Sequence, residues 1–264
     1  MASIAGAPTA RQTAERRFYC WMAIGLVAIV FLGFAPSFYL QNLVPAYPRP
    51  NPTLPMGVLV HGSLFTLWML AFIVQTQLVA AGRRDIHMKL GTASMVLAVL
   101  LMPVMYLTAV WQVARANQPP FTDPLSWTIV PLSVILPYAV MIWNGWSHRK
   151  NAQWHKRSML AASILVVAGP SISRLPIAPP TLGGFTFSLL LGLALFVPLY
   201  LWDQRSIGRA HAATKLGSPC WLCRSPSRWR SSGQEPTGPR SRPGCRAFRR
   251  LPSRAFPRPS PAAA

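Results

Sequence analysis

The sequence predicts an all-α membrane protein: a polytopic bundle of six transmembrane helices with a cytoplasmic amino terminus and a disordered carboxy-terminal tail. Three observations support this fold class. Only 12% of the 264 residues are charged, about half the fraction that is typical of soluble domains. Six apolar stretches approach or exceed the roughly 20 residues that a membrane-spanning helix needs. The connecting loops alternate in positive charge, as the loops of multi-pass proteins do.

The apolar stretches define the predicted domain organisation. The spans cover residues 18–40, 56–80, 89–113, 126–146, 158–178 and 182–202. They form a transmembrane domain over 18–203, flanked by a cytoplasmic segment 1–17, a juxtamembrane segment 204–215 and a tail 216–264. Arg16 and Arg17 precede the first span as in a signal peptide, but the apolar run is too long and lacks a small-residue cleavage site. We therefore expect a retained helix.

Positive charge predicts the orientation of the bundle. Thirteen basic residues belong to one set of connectors: Arg11, Arg16, Arg17, Arg83, Arg84, Lys89, Arg149, Lys150, Lys156, Arg157, Arg205, Arg209 and Lys215. The other connectors hold only Arg49 and Arg115. Since cytoplasmic loops retain Lys and Arg, the amino terminus and the end of the sixth span should face the cytoplasm of a bacterial inner membrane. The proline-rich loops on the other side should be short and stiff.

The net charge of +21 does not indicate a nucleic-acid-binding protein, because of how it is distributed. Residues 1–215 carry +12 in the pattern just described, and residues 216–264 carry the remaining +9 through ten arginines and one acid. That tail has no hydrophobic periodicity and is expected to be disordered. The expected partner is the lipid bilayer, and the sequence gives no indication of a protein partner.

Three polar groups should lie at a similar depth near the outer surface. His61 is five residues into the second span, Tyr106 is about 25 Å along the third, and Arg174 is about 24 Å along the fifth. Arg174 also lies between Pro170 and Pro176, where freed carbonyls can accept its hydrogen bonds. Such a layer suits an anionic or quinone-like head group, or haem propionates. The alternative is that Arg174 snorkels to the interface and His61 makes one interhelical hydrogen bond.

A second set of candidates gathers at the inner face. It comprises Asp85, His87, His148, His155, Asp203 and His211. His87 and His155 each precede a span by two or three residues, and two imidazoles at one depth can ligate haem b from both sides. Alternatives are a hydrolytic metal site and plain contacts with lipid head groups. No zinc motif is present, so the sequence assigns no metal ligands, and it leaves open whether the protein is an enzyme.

Three stretches resemble a family of uncharacterised bacterial multi-pass inner-membrane proteins. They are "VHGSLFTLWMLAFIVQTQLVAAGRRDIHMKLG", "WHKRSMLAASILVVAGPSISRLP" and "LYLWDQRSIGRAHAAT". The positions that match the family pattern are His61; His87, Leu90 and Gly91; His155, Lys156 and Arg157; Gly169, Pro170 and Arg174; and Asp203, Gly208, Arg209 and His211. The resemblance covers residues 18–214. It implies a topology and a set of candidate residues, but no reaction.

The tail departs from that family. Members continue after the last His with a further hydrophobic segment, whereas this chain turns into Arg-, Pro- and Ser-rich sequence without lysine. Such a composition is typical of a GC-rich gene read in another frame, and we expect a frame change near residues 215–218. The pair Cys220 and Cys223 then carries no function, because a metal or redox site needs a folded scaffold.

Three functions are consistent with the sequence. The first is a redox role with haem or quinone, bound by the inner histidines or by the layer of His61, Tyr106 and Arg174. The second is a small-solute transporter or ligand sensor that uses the outer layer as an anion site. The third is a structural or assembly factor without a site.

Overall fold

The computed structural model describes residues 9–41, 43 and 53–218, and within these residues every regular element is helical. Five helical stretches are long and apolar enough to cross a membrane. The all-helical fold and the presence of several helices able to span a membrane are therefore confirmed. The number of crossings and the side on which each terminus lies stay predictions. The tail from residue 219 onward, including Cys220, Cys223 and Cys245, lies outside the described residues.

The helices follow the predicted spans closely. They are α1 (Ala10–Phe34, extended by a π-helical turn, Ala35–Tyr39), α2 (Met56–Ala80), α3 (Arg84–Arg115), α4 (Pro124–Trp127), α5 (Ile129–Ser133), α6 (Ile135–Ser147), α7 (Ala152–Ile172), α8 (Leu182–Ala194), α9 (Phe196–Ile207) and α10 (Ala212–Gly217). Side-chain caps explain several starts. Thr9 forms a capping box with Gln12 at α1, and Asn151 accepts hydrogen bonds from two amides of α7.

Prolines explain where the predicted spans are interrupted. The span expected over 126–146 consists of α4, α5 and α6, because Pro131 and Pro137 lack the N–H groups that would bond to the carbonyls of Trp127 and Ser133. The span expected over 182–202 likewise divides at Leu195, since Pro198 cannot bond to the carbonyl four residues earlier. Each interrupted span still qualifies as a candidate membrane span.

Helix α7 is the central element and differs from the other predicted spans. It packs against α1, α6, α8 and α10, and twelve of its 21 residues are buried. Protein contacts on these faces allow α7 to carry Ser, Gly and charged residues that a lipid-facing helix would not tolerate. Because of these polar residues, α7 is not among the five helical stretches whose composition is apolar enough to cross a membrane. It begins and ends six residues earlier than the span expected over 158–178.

Small residues allow close approach to α7 at its far end. A Cβ added at Gly33 of α1 would lie 2.3 Å from the carbonyl oxygen of Ser171, and one at Gly192 of α8 would lie 3.0 Å from the amide nitrogen of Gly169. Helix pairs in membranes are stabilised by such close backbone packing rather than by burial of apolar surface from water. These contacts fix α1 and α8 on two flanks of α7.

The other end of α7 is fixed by a buried ion pair. Arg157 Nε donates to Asp203 Oδ1 of α9 at 2.8 Å, and both side chains are fully buried. The second oxygen of Asp203 accepts from the His211 amide at 2.9 Å and from the Thr214 hydroxyl at 2.6 Å. One carboxylate thus joins α7, α9 and α10. Helix α10 ends at Gly217, which is buried, so residues 216 and 217 of the predicted tail belong to a helix.

We define the two ends of the bundle by these contacts. The basic end is where α1 begins and α9 ends, since Arg11 donates to the Ser206 carbonyl and Arg16 to the Ala80 carbonyl. The proline-rich end is where α2 begins and α3 ends, joined by a hydrogen bond from Arg115 to the Thr53 carbonyl.

Replacing Arg157 by Leu should lower the free energy of unfolding by about 3–5 kcal/mol, because it leaves the buried Asp203 carboxylate without its counter-ion. The double variant R157L/D203N should regain most of this loss, since the neutral amide still accepts from His211 and Thr214. Thermal unfolding of the purified protein in detergent measures both effects.

Lys156→Leu is the matched control. Lys156 pairs with Glu15, and both side chains keep about a fifth of their exposure, so its loss should cost about 1 kcal/mol or less. An Arg157→Leu variant no less stable than this control would contradict the structural role of the pair.

Candidate functional site

A cavity of about 910 Å³ opens within the proline-rich half of the bundle. Residues from the ends of α1, α3 and α7 and from the starts of α2 and α8 line it. Pockets that bind small molecules commonly have volumes of about 300–1,000 Å³. The cavity is therefore large enough for a ligand with a ring and a short chain.

Two of the three residues predicted for the outer layer meet in this cavity. His61 and Arg174 both line it, and the guanidinium is close enough to act electrostatically on the imidazole. His61 also contacts the Phe65 ring, with 4.8 Å between centroids. Its Nδ1 is buried and has no hydrogen-bond partner among the described residues. A buried polar atom in this state is costly and calls for a partner such as water or a ligand.

Arg174 is held at the end of α7 by two interactions. Its Nη1 donates to the Pro170 carbonyl at 2.6 Å, and its guanidinium lies 4.2 Å from the centre of the Phe34 ring. A basic side chain that bonds a carbonyl in the last turn of a helix is favourable there. The sequence predicted that carbonyls freed by the flanking prolines would accept from Arg174, whereas the acceptor is the carbonyl of Pro170 itself, at the end of the helix. These two interactions fix the guanidinium at the cavity wall.

Tyr106, the third predicted member of the layer, does not take part. Its side chain is 54% exposed, and it is not among the described residues that line the cavity. The neighbouring Met105 is buried and does line it. Successive helix residues point about 100° apart, so a depth counted along the helix did not determine which of the two faces inward.

Tyr39 and Gln112 are cavity residues that the sequence analysis did not select. Tyr39, which resembles an interfacial aromatic at a span end, forms a 2.9 Å hydrogen bond with the Thr66 hydroxyl. Gln112 lies near the end of α3, and its amide nitrogen is buried without a partner in the described part of the chain. The polar residues His61 and Gln112 therefore both bring unpaired polar atoms to one cavity.

The deeper part of the wall is apolar and extends into the bundle. Ile164 lies ten residues before Arg174, about 15 Å deeper along α7. Met69 lies eight residues beyond His61, about 12 Å deeper along α2. No described lining residue carries a carboxylate. The cavity thus combines a polar region that can donate hydrogen bonds with an apolar shaft, and it offers nothing to pair with a cationic ligand.

At the basic end, the structure brings together His87 and His155, the pair expected from the sequence. Their ring centres are 6.2 Å apart and their planes meet at 83°. His155 Nδ1 bonds to the Gly145 carbonyl at 2.8 Å, and His87 Nδ1 lies 2.5 Å from the Gln75 amide. Ligating histidines in metal and haem sites donate a hydrogen bond from their second nitrogen, and the bond from His155 to the Gly145 carbonyl is of this kind. His87 Nδ1 instead accepts from the Gln75 amide N–H, so only one of the two imidazoles is held as a ligand is. The geometry therefore leaves the haem prediction open.

The other inner candidates have structural partners. His148 stacks on Trp154 with 4.7 Å between ring centres, and Trp154 contacts His211 at 5.0 Å. Asp85 pairs with Arg83 at the surface, and Asp203 belongs to the buried ion pair with Arg157. Within the described residues, no three His, Cys, Asp or Glu side chains form a group that could hold a metal ion. A hydrolytic metal site gains no support.

His211 acts as the cap of α10. Its Nδ1 accepts a hydrogen bond from the Ala213 amide at 3.1 Å, which requires that nitrogen to be unprotonated. Burial lowers the pKa of His211 from its usual value of 6.5, and the positive charge of Arg157 lowers it further. The imidazole of His211 thus helps to hold α10 in place, together with Asp203 and Thr214.

Comparisons with protein families, with curated proteins and with solved structures find no match to this chain. The resemblance to bacterial inner-membrane proteins accordingly stays a prediction. The cavity lined by His61 and Arg174 and the pair of His87 with His155 are the two candidate sites of function.

Docking of α10 should weaken in acid. The docked state favours neutral His211. The contribution of His211 to docking is therefore complete above pH 6.5, its usual pKa, and is lost as the pH falls through the lowered pKa of the docked imidazole. Hydrogen exchange at residues 212–217 should therefore accelerate between about pH 7.5 and pH 5, after correction for intrinsic exchange rates.

His211→Asn provides the control for this experiment. Asparagine also caps helices but does not titrate, so its α10 should exchange at a rate that no longer depends on pH in this range. An unchanged pH dependence in H211N would show that another group controls the docking.

Proposed function

We propose that this protein binds a mostly apolar small molecule with a carbonyl or anionic head group, such as a membrane quinone, in the cavity that His61 and Arg174 line. The observation that carries this proposal is the cavity itself. Its polar groups lie at one end, and an apolar shaft leads away from them. A molecule with an oxygen-bearing head and a hydrocarbon tail matches both parts.

The donors of the cavity favour an acceptor on the ligand. Arg174 contributes a guanidinium, which donates only, and Gln112 contributes an amide N–H group that has no partner among the described residues. The imidazole of His61 donates or accepts, depending on its tautomer. Leaving a buried polar group unpaired costs about 1–3 kcal/mol, and a ligand oxygen at this position relieves that cost. The ring carbonyls of a quinone and a carboxylate both meet this requirement.

The same residues allow the transporter and sensor hypotheses. An anionic solute would use Arg174 as its counter-charge, whereas the apolar shaft would remain unused. The depth of that shaft, which reaches Ile164 and Met69, therefore favours a ligand with a hydrocarbon portion over a fully polar anion. Binding is the proposed function, and electron transfer is not part of it.

Direct binding of a short-chain ubiquinone and of octanoate distinguishes these ligand classes. We expect the quinone to quench tryptophan fluorescence of the purified protein, since Trp111 and Trp127 line the cavity. Arg174→Gln should weaken the binding by about tenfold or more, because a hydrogen bond to a charged group contributes about 1.5–3 kcal/mol. His61→Leu should also weaken it.

Arg209→Gln is the matched control, since it makes the same change at an exposed position of the basic end, and it should bind as the unaltered protein does. Octanoate binding without quinone binding would assign the site to anions. Binding of neither probe, or quinone binding that survives both cavity substitutions, would contradict the proposal.

We further propose six membrane crossings, with α7 as the fifth, and a cytoplasmic amino terminus in the bacterial inner membrane. The thirteen-to-two distribution of basic residues supports this orientation. The close contacts of α7 with α1 and α8 support its place among the spanning helices. Reporter fusions at residues 9 and 120 test the two sides, and a cytoplasmic signal at residue 120 would contradict the orientation.

Haem b between His87 and His155 is a second candidate function. The separation of their ring centres supports it, because two nitrogens that each ligate one iron at about 2.0 Å place the rings about 6 Å apart. A bound haem would supply one-electron chemistry. Purified protein should then show a Soret band that disappears in both H87A and H155A, whereas H148A should retain it. A spectrum without a Soret band would exclude this candidate.

A further inference from the structure

The structure contains a second groove, at the basic end, between the beginning of α1 and the end of α9. Arg11, Trp202, Arg205 and Ser206 line it, and its volume is about 410 Å³. We propose that this groove binds an anionic phospholipid, with the phosphate between Arg11 and Arg205 and one acyl chain along α1 past Gly25. This site is independent of the cavity at the proline-rich end.

The head-group region is already held in place by protein contacts. Arg11 Nη2 donates to the Ser206 carbonyl at 2.6 Å, which fixes one guanidinium at the groove and leaves its other N–H groups available. The Phe18 ring stacks on Trp202 with 4.8 Å between centres and 10° between planes. Indole rings commonly lie at the level of lipid head groups. The groove therefore presents a fixed cation beside a fixed interfacial aromatic.

The charge around the groove is positive, and the acidic residues of α1 and α9 are engaged elsewhere. The acidic residue of α1, Glu15, pairs with Lys156, and the acidic residue of α9, Asp203, pairs with Arg157. The charges of Arg11 and Arg205 are therefore not offset by acidic residues of their own helices. Basic pockets between helices on the cytoplasmic side are typical sites for anionic lipid head groups. A zwitterionic lipid would gain less from such a site.

An apolar path for the acyl chain leads away from the two arginines. Arg11, Phe18 and Gly25 are spaced by seven residues and so share one face of α1. A Cβ added at Gly25 would meet no atom within 4 Å, so the space beside this face is open. On α9, Leu201 and Val197 precede Arg205 at four-residue intervals and are about half exposed. The acyl chain of the proposed lipid would therefore lie beside apolar surface on both helices.

This path distinguishes a lipid from a free anion. Inorganic phosphate would use the arginines alone, and its binding would not depend on the space beside Gly25. A phospholipid uses both. Gly25 lies about 20 Å along α1 from Arg11, and this matches the depth of one leaflet, about 20–22 Å from the head groups to the midplane.

Thermal unfolding of delipidated protein in detergent tests the proposal with three additives: phosphatidylglycerol, phosphatidylcholine and inorganic phosphate. We expect phosphatidylglycerol to raise the melting temperature in a saturable way and the other two to have little effect. Arg11→Gln and Arg205→Gln should each raise the half-saturating lipid concentration about fivefold, as expected for one basic side chain near an anionic lipid surface. Gly25→Leu should weaken the effect without changing charge.

Arg84→Gln, an exposed arginine at the same end, is the matched control and should retain the full response. Equal stabilisation by phosphatidylcholine, or an unchanged response in R11Q and R205Q, would overturn the proposal. Stabilisation by inorganic phosphate alone, with no effect of Gly25→Leu, would show a free-anion site and would equally overturn the lipid assignment.

Discussion

The buried ion pair between Arg157 and Asp203 is the interaction on which the rest of the structure depends. Two charges removed from water are tolerable only when each is fully paired and hydrogen-bonded, and here the carboxylate also serves the His211 amide and the Thr214 hydroxyl. This requirement fixes α7 against α9 and α10 in one arrangement. The far end of α7, where Arg174 faces the cavity, is then determined by a helix that cannot rotate without breaking the pair.

The two ends of the bundle use positive charge differently. At the proline-rich end, the guanidinium of Arg174 is held by the Pro170 carbonyl and the Phe34 ring beside a large, mostly apolar cavity that Arg115 also lines. At the basic end, several arginines lie near the surface, and the carboxylates of α1 and α9 are already paired. The first environment suits one buried ligand with an oxygen-bearing head. The second suits the anionic surface of a membrane leaflet.

Much of the fold could be predicted from the sequence, because apolar length and loop charge are direct consequences of the bilayer. The pairing of His87 with His155 was predicted because both precede apolar spans that were expected to start at one depth, and in the structure both lie in the first turns of their helices. Tyr106, which the sequence placed at the same depth as His61 and Arg174, does not line the cavity, because depth does not specify rotation about the helix axis. The pairing of Arg157 with Asp203 was missed because both lie at span ends, where a charged residue normally faces water. The docking of α10, which hydrogen-bonds to Asp203, helps to bury them.

The most direct test of the central claim is an experimental structure of the protein extracted with its native lipids and small molecules, at a resolution that reveals bound ligands. The account predicts elongated density in the cavity, with its polar end within hydrogen-bonding distance of His61 and Arg174 and its remainder passing towards Ile164. A cavity closed by protein side chains, or one that contains only isolated waters beside an unchanged Arg174, would contradict it.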